Sequence, residues 1–360
     1  MSAEPTLEDL GWTPRLAEAF ASYAAPGVEP ARVSLEHTHI YRVLTPSGER
    51  LARVSGRLRH GAGARADFPA VGDWVVLAPS EPDSDARIRA VLPRATRFSR
   101  RAAGSPTEEQ VVAANIDIVF LVSGLDQDFN PRRIERYLVT AWESGAAPVI
   151  VLNKADLLGD PGAVVAEVEA LAAGVPVYAV SAKHPASLAP IAAQLTRGRT
   201  AALLGSSGVG KSSLANALMG EERLRTREVR EADSRGRHTT TGRQLIVLPG
   251  GGILIDTPGM RELQLWDTGE AVAGAFSDIE ALGAGCRFRD CRHAGEPGCA
   301  VVAAVEQGSL PAVRLDSFRK LQAEQAFQAT QQDERARIDV KRQGKIGAKA
   351  LRSRLKDKGR

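Results

Sequence analysis

The chain has 360 residues, 43% of them hydrophobic and 25% charged, with a formal net charge of +4. That length exceeds one hydrophobic core and predicts two or three domains. The lack of any run of about 18 apolar residues, and an acidic, polar start (MSAEPTLEDLGW), argue against a membrane span or a secretory leader and for a cytoplasmic protein with no membrane partner. The basicity is local: residues 341–360 (KRQGKIGAKALRSRLKDKGR) carry nine Lys or Arg against one Asp, leaving residues 1–340 at −4.

Residues 1–30 show little periodicity beyond a short helical stretch, TPRLAEAFASYA, and read as an N-terminal extension. From 31 to 105 the pattern changes to short alternating strands (ARVSLEHTHIYRVLTPSGERLARVSGRL, AVGDWVVLAP, ARIRAVLPRATRFSRR), with turn chemistry at Pro46-Ser47-Gly48 and Gly72-Asp73. About five short strands suit a small β-barrel, and an OB-fold, which often binds oligonucleotides, is the expected type. A structural β-domain without a ligand is the alternative. The next stretch, AAGSPTEEQVVAA, reads as a linker because Gly104 and Pro106 interrupt any strand.

Beyond it the pattern is α/β. IDIVFLVSG, PVIVLN, VPVYAVSA, TAALLG and GGILIDTPG are continuous apolar runs of the kind buried on both faces of a parallel sheet. NPRRIERYLVTAWESG is a helix with Pro131 at its first position and Gly145 at its end, and PGAVVAEVEALAAG is another.

Within this region Gly205-Ser206-Ser207-Gly208-Val209-Gly210-Lys211-Ser212, followed by Ser213, fits G-x-x-x-x-G-K-[ST] between a strand and a helix. Such a loop turns backbone N–H groups around a β-phosphate at a helix N-terminus. Lys211 is placed to reach the β- and γ-phosphates, and the Ser212 hydroxyl to ligate Mg²⁺. Asn153-Lys154-Ala155-Asp156 follows a strand directly, so that the Asp156 carboxylate can accept the N1–H and 2-amino hydrogens of guanine, a donor pair adenine lacks. Ser181-Ala182-Lys183 matches the backbone loop that supports the guanine. Asp256-Thr257-Pro258-Gly259 closes a strand, with Asp256 set to hold a magnesium water and the Gly259 N–H to sense the γ-phosphate. Between lies SRGRHTTTGR, from which Thr240 is our choice to complete the Mg²⁺ shell.

These five elements occur in the order base motif, base-supporting loop, phosphate loop, threonine loop, DTPG. The familiar GTPase order begins at the phosphate loop, so the domain reads as a circularly permuted P-loop GTPase. A compact domain whose termini lie close together tolerates that rearrangement. The cut leaves the segment after DTPG running directly into the next domain, so nucleotide state is expected to reposition the C-terminal part of the chain. Many GTPases carry a water-orienting glutamine after the DxxG glycine; here Met260 stands there, and a thioether cannot orient water. His238, beside the threonines, is the nearest substitute, with a purely structural role as the alternative. Slow hydrolysis alone, stimulated by a partner that orders this loop, is the expectation.

All three cysteines fall in GCRFRDCRHAGEPGC, giving Cys286, Cys291, His293 and Cys299. Three thiolates and an imidazole suit one tetrahedral, structural Zn²⁺ with no open position, free buried cysteines being the alternative. Helical segments come next, then the basic tail, which reads either as a solvated end or as a binder of polyphosphate such as RNA. The expected organisation is an extension (1–30), an OB-fold (31–105), a permuted GTPase (106–275), a zinc-binding, mainly helical domain (276–340) and the tail (341–360).

Taken together, NKAD, GSSGVGKSS, RGRHTTT, DTPG, the Cys-Cys-His-Cys spacing and SRRAAG…TEEQVVAANID make the chain resemble, over roughly residues 31–335, the ribosome small-subunit-dependent GTPase A family of bacteria. The resemblance implies binding of GTP and GDP, association with the 30S subunit and its rRNA, a role in late 30S maturation, and GTPase activity stimulated by the ribosome. It also implies that His238 is catalytic; from the motifs themselves Lys211 and Gly259 are expected to act in catalysis too, and we expect a monomer. The rival readings are a GTPase switch for a non-ribosomal protein complex and an RNA-binding module with a vestigial nucleotide site.

Overall fold

In a computed structural model of the chain, the described residues are 5–37, 40–79, 84–102, 105–220, 243–256, 276–312, 314–323, 326 and 330. The chain forms two units, one of residues 1–103 and 108–266 and the other of residues 104–107 and 267–360.

The first unit opens with a short helix, α1 (Pro14–Ala21), where Thr13 caps the Leu16 N–H and Pro14 takes the first position. Five strands come after it: β1 (Glu29–His37), β2 (Ile40–Thr45), β3 (Gly48–Val54), β4 (Trp74–Leu77) and β5 (Ala86–Val91), with α2 (Gly56–Gly61) between β3 and β4. β1 pairs with β2 and with β4, β2 with β3, β3 in parallel with β5, and β5 with β4, so the strands close into a barrel in the order 1-2-3-5-4-1. Alternate residues point inward, and Val33, Val43, Ala52, Val75 and Ile88 fill the interior. Leu10 and Leu16 of the N-terminal segment pack with Trp74 on the outside of the barrel, so residues 7–23 cover it with a second small core.

Two expectations change here. The stretch RIRAVLPRATRFSRR divides: only β5 belongs to the barrel, and β6 (Arg97–Ala102) leaves it. The supposed linker contains β7 (Ser105–Ala114), which pairs with β6 as a two-stranded ribbon. A two-stranded ribbon tolerates a proline at an open edge, while at the far end of β7 Val111, Val112, Ala113 and Ala114 are buried and Ala113 bridges Val71 of the barrel turn.

The α/β part comprises β8 (Ile118–Gly124), α3 (Pro131–Ser144), β9 (Ala147–Asn153), α4 (Gly162–Leu171), β10 (Val177–Ala179), α5 (Ala189–Ala192), β11 (Thr200–Leu204), α6 (Lys211–Met219), β12 (Gln244–Val247) and β13 (Ile253–Asp256). Strands 10, 9, 8, 11 and 13 lie side by side in parallel, and β12 adds antiparallel to β13. Parallel strands buried on both faces read as apolar runs, and those of β8 and β11 are almost wholly buried. Because the five strands share one direction, their carboxyl ends meet along one edge, the usual ligand edge of such sheets.

The barrel and this sheet are continuous through Leu35 of β1, paired with Gln244 of β12. A buried arginine also ties them. Arg32, 1% exposed, donates to the carbonyls of Leu10 (2.5 Å), Gly72 (3.3 Å) and Asn115 (3.0 Å), which belong to the N-terminal segment, a barrel turn and the entry to β8. Gly72 sits at φ +89°, and a Cβ there would come within 2.1 Å of the Ala114 carbonyl, so only glycine permits this approach. Burial pulls the Arg32 pKa down to about 10, leaving it charged at neutral pH. Charge-assisted bonds to three carbonyls offset the cost of desolvating it.

In the second unit, α7 (Ser277–Gly283) and α8 (Ala300–Glu306) flank the cysteine-rich loop, and residues 314–323 are helical. Phe276 and Phe318 meet edge to face at 5.4 Å, and Ile279, Val301 and Leu321 of the same unit are also buried. Arg314 pairs with Asp278 at 2.6 Å and lies over the Phe276 ring.

Replacing Arg32 by leucine strands the Leu10 and Asn115 carbonyls, at about 1–3 kcal/mol for each group left unpaired, while the Gly72 carbonyl keeps the Asn115 side-chain amide at 3.1 Å. Thermal unfolding of Arg32→Leu is expected roughly 5 °C or more below the parent. An unchanged melting temperature would show that Arg32 is not a structural tie.

Candidate functional site

The phosphate-type loop leaves the end of β11 and enters α6 at the centre of the carboxyl edge. Its backbone has no room for side chains at the two glycines that matter most. A Cβ on Gly205 would lie 2.3 Å from the Val122 carbonyl of β8, and one on Gly210, at φ +93°, would lie 2.3 Å from Nδ2 of Asn153. Val209 is buried in the core beneath α6, while Ser207 and Gly208 are exposed to the edge. Lys211 Nζ donates to the carbonyls of Gly205 (2.8 Å) and Ser206 (2.6 Å), which keeps its charge at the mouth of the loop. Ser212 and Ser213 stand half-buried in the first turn of α6, and Asp256 ends the neighbouring strand β13.

The base-type motif lies two strands away. Asn153, 2% exposed at the end of β9, joins three loops: its Nδ2 donates to the Val209 carbonyl at 2.8 Å, its Oδ1 accepts from the Ala182 N–H at 3.1 Å, and its carbonyl accepts from the Leu125 N–H at 2.8 Å. Lys154, in the left-handed region at φ +66°, pairs with Asp126 beyond β8. The Ala155 N–H donates to the Val180 carbonyl at 3.0 Å. Asp156 accepts from the Ser181 hydroxyl at 2.6 Å and from Lys183 Nζ at 3.3 Å. Those two donors, Ser181 first, hold its pKa below the ordinary carboxylate value, so it is an anion at neutral pH. Ser181 is itself fixed by Ser187, whose hydroxyl accepts from the Ser181 N–H at 2.9 Å. The arrangement presents an anionic acceptor at one end and a tightly turned glycine loop with a cation at the other.

In the second unit, the ligand atoms of Cys286, Cys291, His293 and Cys299 all lie within 4.8 Å of one another. Cys286 Sγ is 3.8 Å from Cys299 Sγ, and His293 Nδ1 is 3.5 Å and 3.4 Å from those two sulfurs. A tetrahedron with metal–sulfur bonds of about 2.3 Å has edges of about 3.8 Å, so the set fits a zinc-sized ion bound through Nδ1. Cys299 caps α8 and its Sγ accepts from the Val302 N–H at 3.4 Å. Glu296 accepts from the Arg292 and Ala294 N–H groups (3.0 and 2.7 Å), folding the turn that presents His293.

A family model described as RsgA GTPase matches residues 91–266. Among curated proteins, the chain is 51% identical to a small ribosomal subunit biogenesis GTPase RsgA of Opitutus terrae, over 91% of this chain and 92% of that one. It is 43% identical to the protein of that name from Streptomyces coelicolor, over 98% and 97%. The chain belongs to the RsgA GTPase family. Among solved structures it resembles YjeQ from Thermotoga maritima (TM-score 0.63, 28% identity, 83% of this chain and 99% of that one). It also resembles YloQ, described as a circularly permuted GTPase (TM-score 0.61, 26% identity, 83% and 95%). It is accordingly a GTP-hydrolysing enzyme with a circularly permuted GTPase fold behind a five-stranded barrel.

His238, Thr240 and Gly259 lie outside the described residues. Of the other residues singled out from the sequence, those of the base motif, base-supporting loop, phosphate loop and Asp256 all come to the carboxyl edge of one sheet. Sequence reasoning missed Asp126, Asp128, Arg133, Tyr137 and Ser187, which hold the motif residues in place. The position of Asp126, just after an apolar strand, was the one available signal, since loops after parallel strands carry ligand sites. No motif contains the others.

The metal set predicts about one zinc per purified chain by elemental analysis. Cys299→Ser should lose it and make residues 276–312 sensitive to protease, because structural zinc sites fold with their metal. A wild-type chain without metal, or a variant that keeps its full content, would contradict the assignment.

Proposed function

We propose that this RsgA-family enzyme is a GTP-hydrolysing ribosome biogenesis factor that binds the small ribosomal subunit and its rRNA, acts in late subunit maturation, and turns over faster on the ribosome. The observation that carries the nucleotide part is Asn153, one buried side chain bonded to both the base-supporting loop and the phosphate loop. Asp156 accepts from the guanine N1–H and 2-amino groups, with Lys154 and the backbone of Ala155 shaping the pocket. Ser181, Ala182 and Lys183 support the base. Residues Gly205 to Ser213 wrap the phosphates, Lys211 bridges the outer two, and Ser212, Asp256 and Thr240 would hold Mg²⁺, which would supply charge neutralisation at the phosphates. Gly259 senses the γ-phosphate and His238 orients the attacking water.

The ribosomal part rests on the names of the curated relatives and on charge. The 1-2-3-5-4-1 barrel has the character of an OB-fold, and it exposes Arg57, Arg59, Arg87 and Arg89, suited to a phosphate backbone. We assign the extension, OB-fold, permuted GTPase, zinc-binding and mainly helical domain, and basic tail to 1–30, 31–105, 106–275, 276–340 and 341–360. Among the described residues no helix is long and apolar enough to cross a membrane. A cytoplasmic monomer accords with a ribosomal partner.

The test is GTP turnover by the full chain with and without purified small ribosomal subunits, and again with Lys211→Ala. Slow turnover raised more than about tenfold by subunits, and absent in the variant, is expected for a partner that completes the catalytic site. Turnover indifferent to subunits would favour a non-ribosomal partner. No turnover under either condition would favour an RNA-binding module.

A further inference from the structure

Ser206, the second residue of the phosphate loop, is gripped from both sides by cations. Lys211 Nζ sits 2.6 Å from its carbonyl, and Arg133 Nη1 sits 2.8 Å from its hydroxyl. Arg133 and Tyr137 are one helical turn apart on α3, hence on one face, and the Tyr137 hydroxyl also reaches the Ser206 Oγ at 3.2 Å. Asp128, just before the helix, holds the Arg133 guanidinium in a fork, at 2.7 and 3.2 Å. Arg133 therefore has a fixed geometry beside the loop, and no known motif contains it.

Two physical points indicate that bracing α3 is not its whole purpose. First, a cation in the opening turn of a helix faces the positive end of the helix dipole, which costs stability, and α3 carries Arg132 and Arg133 there with no acidic residue in the turn itself, Asp128 before it offsetting part of that cost. Second, the position is at a definite end of the nucleotide. The base motif meets the phosphate loop at Val209 and Gly210, so a nucleotide extending from Asp156 past Gly210 carries its outermost phosphate toward the loop's opening residues, where Lys211 also rests. Arg133, Ser206 and Ser207 line the same cavity, of about 480 Å³, together with Lys154 and with Asp126 and Asp128, the carboxylates that pair with the two cations.

We propose that Arg133 is a positioning residue selective for the triphosphate. Through Ser206 it holds the opening turn of the loop, and it places a positive charge at the end of the cavity that a third phosphate occupies and a diphosphate leaves open. This rests on the reading of the edge as a GTP site.

The test measures affinities of the full chain for GDP and for a non-hydrolysable GTP analogue, with kcat and KM for GTP, in wild type, Arg133→Gln and Arg133→Lys. Glutamine keeps much of the reach and can hydrogen-bond Ser206 but carries no charge. It should weaken the analogue about tenfold, the scale of one charge-assisted hydrogen bond, leave GDP within about twofold and lower kcat. Arg133→Lys should restore the analogue-to-GDP ratio to within about threefold of wild type, because it returns the charge. Equal losses for both nucleotides, or an unchanged ratio, would overturn the proposal and reduce Arg133 to a brace. A wild type that binds neither nucleotide would instead overturn the reading of the site.

Discussion

The nucleotide edge depends on one buried amide. Asn153 spends both ends of its side chain on backbone groups of other loops, the Val209 carbonyl and the Ala182 N–H, and its own carbonyl takes the Leu125 N–H. In a nearly dry position each of these bonds is expensive to leave unmade. The side chain therefore fixes the distance between the group that reads a base and the loop that wraps phosphates. The glycine at 210 is the steric counterpart, since any side chain there would occupy the space of that amide.

This arrangement explains how a permuted order can work. Strands 9 and 10 precede strand 11 in the chain, yet strand 11 pairs with strand 8, which pairs with strand 9, and all run in one direction. The loops at their carboxyl ends meet regardless of which is synthesised first. The barrel joins the same unit by backbone pairing at Leu35 and Gln244 and by Arg32, whose three carbonyl partners come from segments far apart in sequence.

The features legible in the sequence are those that chemistry confines to a few adjacent residues. The phosphate loop, NKAD and the four metal-type ligands are local patterns, and the apolar runs marked the parallel strands because burial on both faces removes alternation. The side chains that hold those motifs were not legible. Arg133 reaches Ser206 across 73 positions and Asp126 reaches Lys154 across 28, and only the sheet brings them together. Arg32 stood in an ordinary alternating strand, with nothing to mark it as buried. The ribbon strand at 105–114 was hidden for another reason: glycine and proline near its start signal a break, but a two-stranded ribbon with open edges does not need every N–H.

The central claim is that separate loops of a reordered chain grip one guanine nucleotide through Asn153. Calorimetric titration of GDP and ADP into wild type and Asn153→Ala tests it most directly. The account predicts binding of GDP with ADP weaker by about a hundredfold or more, and a loss of GDP affinity of about tenfold or more in the variant. Equal binding of the two nucleotides by wild type, or undiminished GDP binding by Asn153→Ala, would contradict it.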